Sequence, residues 1–226
     1  MQEGMTKSLS KGEQTRAAIL DTALALASRD GLEGLTIGLL ADKMRMSKSG
    51  VFSHFGSREE LLIAVLQRYH ENFEQEVFYP SMSEARGLPR LRALYMRWVK
   101  HLTMEIASGC IYISGATEYD DRPGAVRDEL TGMVKAWQAA LRRCAAQAVD
   151  MGHLRADTDL DQLVFEMYGL ILALHHDARL IKRGDSAKRA RQGFERLIAS
   201  AATADAASAA AAPAPLHPAP PHFRTA

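Results

Sequence analysis

The stretch Thr36-Ile37-Gly38-Leu39-Leu40-Ala41-Asp42-Lys43-Met44-Arg45-Met46-Ser47-Lys48-Ser49-Gly50-Val51-Phe52-Ser53-His54-Phe55 decides the fold. Ile37, Leu40, Ala41 and Met44 recur at helical intervals, and Val51, Phe52 and Phe55 do so again after a break, so two short amphipathic helices meet at a corner. Thr36 and Ser47 stand where each helix would begin, with hydroxyls able to satisfy the orphan N–H groups of a first turn. Between Thr36 and Arg58 the cations Lys43, Arg45, Lys48 and Arg58 face the single acid Asp42, so this surface is basic although the whole chain carries only +1. A phosphate backbone would be drawn to it. The layout is that of a DNA-reading helix-turn-helix, whose bland alternative on pattern alone is a surface αα-hairpin with solvated lysines.

Working outward, Glu13 to Arg29 reads as an amphipathic support helix, with Ala17, Ile19, Leu20, Ala23, Leu24 and Ala27 on its apolar side and a turn at Gly31-Leu32-Glu33-Gly34-Leu35. Ser57 followed by Glu60 reads as a capping box that opens a connector helix running to about Phe78. Gly50 is costly inside a helix unless another backbone approaches closely, which argues for tight docking. Lys48 can donate to guanine edges or phosphate, and Ser49 can serve base or backbone.

Residues 13 to 66 resemble the N-terminal domain of the TetR family of bacterial transcription regulators. The resemblance is carried by Thr15-Arg16-Ala17-Ala18-Ile19-Leu20, Ala23-Leu24, Gly31, Leu35-Thr36, Leu40-Ala41, Ser47-Lys48-Ser49-Gly50-Val51-Phe52, His54-Phe55 and Ser57-Arg58-Glu59-Glu60-Leu61-Leu62. It implies phosphate contacts from Thr36, Lys48 and His54, and base reading near Ser47, Lys48, Ser49 and Val51. On its own chemistry His54 could equally be a plain surface residue. Two positions depart from the family pattern. Phe52 replaces a common tyrosine, so a phenol contact to phosphate is lost. Arg45 stands where a glycine usually takes a left-handed turn position, at a cost of about 1 kcal/mol that a phosphate contact could offset. The expected DNA-contacting set is Thr36, Arg45, Ser47, Lys48, Ser49, Gly50, Val51, Phe52 and His54.

The chain has 226 residues, 47% of them hydrophobic, enough for one small and one larger domain. Two cysteines, Cys110 and Cys144, give no disulfide framework and suit a reducing cytoplasm. Residues 1–10 lack a signal-peptide core, and the run Tyr168 to Leu174 is too short to span a bilayer, so a soluble, cytoplasmic protein without membrane contact is expected. The reading is helical throughout: Leu88 to Ile106, Arg127 to Met151, a helix after Asp157-Thr158-Asp159 to about Ile181, and Ser186 to about Ala202. The expected organisation is an N-terminal arm (1–12), the helix-turn-helix domain (13–56), the connector (57–78), an all-α C-terminal bundle (79–204) and a flexible Ala/Pro tail (205–226).

Leu160, Leu163, Val164, Met167, Leu170, Ile171 and Leu174 place apolar groups on more than one side of a helix. One side can meet a partner, the alternative being a central helix of a monomer. The resemblance implies a two-fold dimer through the last two helices, here Leu163, Met167, Leu170, Ile171, Leu174, Phe194 and Leu197. Two reading heads about 34 Å apart would then recognise a palindromic operator in double-stranded DNA. The family's internal cavity points to Tyr95, Trp98, His101, Met104, Tyr112, Trp137, Phe165, Tyr168 and His175 as lining for a small-molecule effector whose class the sequence does not name, although such residues are more often core. Effector binding, by the family's mechanism, tilts the connector and spreads the heads, as in a repressor.

Other chemistries lack support. Asp157-Thr158-Asp159-Leu160-Asp161 mimics a calcium loop, but Gln162 and Tyr168 occupy the positions of the required glycine and glutamate, so it reads as a helix start. His175 and His176 diverge on a helix and cannot share a metal. Glu118, Asp120 and Asp121 beside Arg122 and Arg127 read as ion pairs rather than a catalytic dyad. No nucleophile elbow, phosphate loop or dinucleotide fingerprint occurs, so neither enzyme activity, cofactor nor metal is expected. An activator, a ligand-independent DNA binder and a helical scaffold remain the alternatives.

Overall fold

The computed structural model describes residues 10–204, which places the tail expected at 205–226 and most of the arm expected at 1–12 outside the described residues. Ten helices follow in order: α1 Lys11–Asp30, α2 Ile37–Met44, α3 Lys48–Phe55, α4 Arg58–Phe73, α5 Tyr79–Met82, α6 Leu88–Glu105, α7 Ile111–Tyr119, α8 Ala125–Asp150, α9 Leu160–Arg179 and α10 Ser186–Ala201. No strand occurs among the described residues, whose one departure from helix pairing is an isolated bridge between Leu154 and Ala202.

The helix starts follow from their caps. α1 begins two residues before the expected Glu13, because Ser10 and Glu13 close a reciprocal capping box in which Ser10 Oγ accepts from Glu13 N at 3.3 Å and Glu13 Oε2 from Ser10 N at 2.8 Å. Ser57 accepts from the Glu60 N–H at 3.0 Å and opens α4. Asp159 accepts from the N–H groups of Asp161 and Gln162 at 3.1 and 3.0 Å, so the acidic run is a helix cap and not an ion loop.

The connector runs further than Phe78. After Phe73 it widens into a π-turn over Glu74–Phe78 and continues as α5 to Met82, so the expected boundary falls inside one continuous helical rod. Leu61, Leu62, Val65, Leu66, Tyr69 and Phe73 bury its inner face. α7 has no counterpart in the helices read from the sequence: Ile111, Tyr112, Gly115 and Tyr119 bury one side of it.

One apolar core runs through both domains. Its N-terminal end is small: Ile19, Leu20, Ala23, Leu40, Ala41, Val51 and Phe55 lock α1 to α3 together. Its C-terminal end is built from rings. Phe73 meets Trp137 edge-on at 4.8 Å, Trp98 meets Trp137 at 5.2 Å, and Tyr69 meets Tyr112 at 4.8 Å. α10 is fixed by Phe194, which stacks flat on Tyr95 of α6 at 4.1 Å. α9 and α10 approach closely at Gly193, where an added Cβ would lie 2.6 Å from Leu170 Cδ2.

Candidate nucleic-acid interface

The paired helices are capped as their hydroxyls predict. Thr36 accepts from the Leu39 N–H at 3.1 Å and Ser47 from the Gly50 N–H at 3.0 Å. Between them Arg45 lies in the left-handed region at φ 53°, ψ 43°. The Met46 N–H reaches the Ala41 carbonyl at 2.9 Å and the Arg45 N–H reaches Asp42 at 3.3 Å, a Schellman closure of α2 that needs a left-handed residue at this point. The turn is therefore as tight as with glycine, and a side chain that reaches solvent occupies it.

α3 divides its residues cleanly. Val51 is fully buried and Phe55 nearly so, while Ser47, Lys48, Ser49, Phe52 and Ser53 face outward and Phe52 is half exposed. Lys48 leans across the start of α2: a Cβ added at Gly38 would lie 3.7 Å from its Nζ and 3.8 Å from Thr36 Oγ1. An ammonium, a hydroxyl and the N-terminus of α2 thus converge on one spot, the arrangement that suits a phosphate oxygen. His54 is half-buried with its ring 6.5 Å from Phe55.

Three expectations need correction. Val51 cannot read bases, because with no exposed surface it is the pin that seats α3 on the core. Gly50 need not signal DNA docking: a Cβ there would stand 3.1 Å from Ser47 Oγ, a tight contact within the cap itself, so local packing is an alternative reason for a small residue. Arg58 is not available to phosphate. Its guanidinium donates to the carbonyls of Leu35 at 3.0 Å and Glu33 at 2.9 Å and so clamps the α1–α2 turn. One cation escaped the sequence reading. Arg16 of α1 lies over the Phe55 ring at 5.0 Å, which holds an exposed guanidinium beside the reading helix. The Arg16 and Phe55 pair spans 39 positions, and no local pattern announces it.

Residues 19–65 match the family described as "Bacterial regulatory proteins, tetR family", and residues 87–194 match "Tetracyclin repressor-like, C-terminal domain", together more than half of the chain. The chain belongs to the TetR family of transcriptional regulators. The HTH-type transcriptional repressor KstR2 of Mycobacterium tuberculosis is 25% identical over 148 residues, 65% of this chain and 72% of that protein. A TetR regulator from Chloroflexus aurantiacus superposes with a TM-score of 0.78 at 20% identity, covering 86% of this chain and 98% of that one. AibR, solved in complex with isovaleryl coenzyme A and operator DNA, does so with a TM-score of 0.63 at 25% identity, covering 82% and 97%. TetR-family proteins bind operator DNA and dimerise. No described helix is long and apolar enough to cross a membrane.

In this TetR-family chain the residues expected to line an effector cavity scatter. Tyr95, Trp98, Tyr112 and Trp137 are buried among one another and among Phe73 and Phe194, so their rings fill space rather than enclose it. Met104 and Phe165 lie on the surface, 60% and 72% exposed, and Tyr168 is half-buried against Trp98 at 5.4 Å. His101 joins a polar network. Its Nδ1 lies 2.9 Å from Glu76 Oε2 and its Nε2 3.3 Å from Glu105 Oε1, while Glu105 accepts from the Tyr69 hydroxyl at 2.7 Å. Burial disfavours the imidazolium, but the two carboxylates outweigh it and His101 is pushed above its ordinary value. Burial pushes the Cys110 thiol up to about 12, so it is no nucleophile. His175 alone of the nine opens on a large groove.

The dimer residues read from the sequence are also mostly internal. Leu163, Met167, Ile171, Leu174 and Phe194 are buried in their own protomer, and Leu170 and Leu197 are half-buried against it. A helix apolar on two sides does not reveal which side stays home. The outward face of α9 instead carries Phe165, Gly169, Leu172 and Ala173, all exposed.

The two domains meet at one polar junction. Glu118 of α7 accepts from the Glu33 N–H at 2.7 Å, Tyr119 donates to the Glu33 carboxylate, and Arg122 pairs with Glu33 at 2.8 Å. The Tyr119 hydrogen bond, opposed by modest burial and aided by Arg122 and Arg58, holds the Glu33 carboxyl below its usual range. The ion pairs expected for the acids of 118–121 do not form among the described residues: Arg122 pairs with Glu33 and Arg127 donates to the Asp120 backbone carbonyl, while Glu118 and Tyr119 tie the α1–α2 turn to the C-terminal domain.

Proposed function

We propose that the chain is a homodimeric repressor, without catalytic activity and acting in the cytoplasm, that grips a palindromic operator and is released by a small molecule received in the C-terminal domain. The observation that carries this reading is the division of α3: its inner face is locked into the core while Ser47, Lys48, Ser49 and Phe52 project from a basic surface. Lys48 with Thr36 would hold a phosphate, Ser47 and Ser49 would meet base edges, and Arg45, Arg16 and His54 would contact the backbone on either side. Phe52, lacking a phenol, would give apolar contact to a sugar or thymine methyl. The exposed α9 face around Phe165 and Gly169 would meet the same face of a second copy, as two-fold symmetry demands.

Footprinting on the DNA upstream of the chain's own gene tests this. Two protected half-sites related by a two-fold axis and about one helical turn apart are expected, with protection lost on adding a cell metabolite extract. Absence of protection at low salt would sink the reading.

A further inference from the structure

The C-terminal domain carries one wide groove that the ring cluster does not fill. It lies between the end of α6, α7 and α9, has a volume of about 760 Å³, and is walled on its apolar sides by Ile106, Ile113, Leu172 and Leu180. That volume lies in the range of sites that enclose a small molecule. One end is cationic. Arg179 and Lys182 line it, and neither forms an ion pair with any described residue. Arg179 is anchored by donating from Nη1 to the Ile106 carbonyl at 2.9 Å. His175 also lines the groove, with its buried Nε2 lacking any hydrogen-bond partner. Burial, helped by Arg179, lowers its pKa, so it stands as a neutral imidazole that can donate one N–H. A buried polar atom without a partner costs stability, and a ligand oxygen would remove that cost.

The groove's single acid is Glu118, whose carboxylate already accepts the Glu33 N–H of the α1–α2 turn. Contact there is close, since a Cβ on Gly31, which has φ 85°, would lie 2.5 Å from Glu118 Oε1. Any occupant that presses on α7 therefore presses on the residue that secures the reading domain.

We infer that this groove is the effector site and that its ligand is an amphipathic anion, an apolar body bearing one carboxylate, whose head meets Arg179, Lys182 and His175 and whose body lies along Ile106, Ile113 and Leu180. This inference rests on the effector-release reading above. Occupancy shifts α7 and loosens the Glu118 and Tyr119 bonds to Glu33, so the head loses its fixed attitude.

Decanoate, decan-1-ol and decyltrimethylammonium, each below its micelle concentration, are the probes. Each is titrated into the full-length protein by calorimetry and by thermal shift, and then into its complex with upstream DNA. Decanoate should bind and raise the melting temperature, and the alcohol and the ammonium should bind at least about tenfold more weakly, a difference near 1.4 kcal/mol. Lys182→Gln should weaken decanoate about fivefold or more, and Thr117→Trp, which fills the groove from an exposed position on α7, should abolish decanoate binding. Equal binding of the three probes, or decanoate binding that Thr117→Trp leaves untouched, overturns the inference. Decanoate that binds in the groove without weakening the DNA complex leaves the site standing and removes the release step. Release by a metabolite extract that is undiminished in Thr117→Trp does the reverse.

Discussion

The reading domain and the C-terminal domain of this regulator are ordered by opposite means. In the first, bonds that span three or four positions do most of the shaping: Ser10, Thr36, Ser47 and Ser57 each close a first turn, and left-handed Arg45 closes a last one. In the second, Phe73, Trp98, Tyr112 and Trp137 come from four different helices and fit ring edge against ring face. The contrast explains the division of labour. The outward groups of α3 have no packing duty and are free to read DNA, whereas nearly every large ring of the C-terminal domain is needed to fill it, and ligand reception falls to the groove at its edge.

Removing a ring tests the contrast most severely. Trp137→Ala should cost about 3–5 kcal/mol in urea unfolding, because the indole is 5% exposed and touches Phe73 and Trp98. An unchanged midpoint would show that the rings are not what holds the domain. Lys48→Ala should do the opposite: operator affinity falls by at least about 1 kcal/mol while the unfolding midpoint stays put. Loss of both together would mean that the reading face carries structural duty after all. Arg45→Gly sharpens the same line, since it relieves a left-handed side chain and should add up to about 1 kcal/mol of stability. If the guanidinium meets a phosphate, the same variant lowers the salt slope of binding by about one.

The smallest effect is a pH dependence. Burial opposes the imidazolium of His101, but Glu105 of α6 and Glu76 of the π-turn outweigh it and raise its pKa, with the Tyr69 hydroxyl on Glu105 behind them. A raised value means that the stabilisation is complete below the ordinary 6.5 and is lost as pH rises through the folded-state value. The stability gap between wild type and His101→Gln should therefore be widest at pH 6 and narrow above neutrality. A gap that widens with pH would reverse the assignment.

What the sequence made legible follows the same divide. The helix-turn-helix, its caps and the left-handed site at Arg45 could be read because each depends on neighbours within a few positions. The Ser10 and Glu13 box is equally local, a reciprocal cap within four positions at the start of α1. Val51 is ambiguous in the sequence because a residue on a reading helix can face either groove or core, and only the packing of α2 and α4 against α3 decides. The outward face of α9 is hidden for a related reason: the helix is apolar on more than one side, so periodicity gives its burial without its direction. Arg58 on the turn carbonyls, Arg16 on Phe55 and the α7 junction at Glu33 all join distant positions, and composition holds no trace of such pairings. α7 itself hid because Ile111-Tyr112-Ile113 with Gly115 carries too short a period to stand out.

The π-turn at Glu74–Phe78 has a geometric outcome for the connector. Tyr69, Phe73, Val77 and Ser81 are all buried, and each follows the last by four positions. Against a regular 3.6-residue turn such a series would slew by about 40° at each step, roughly 120° in all, and its last members would swing out to water. The wider turn takes up most of that slew and straightens the four into a single seam. The connector therefore packs along α6 and α8 as one continuous edge, although its helical pitch changes part-way along it.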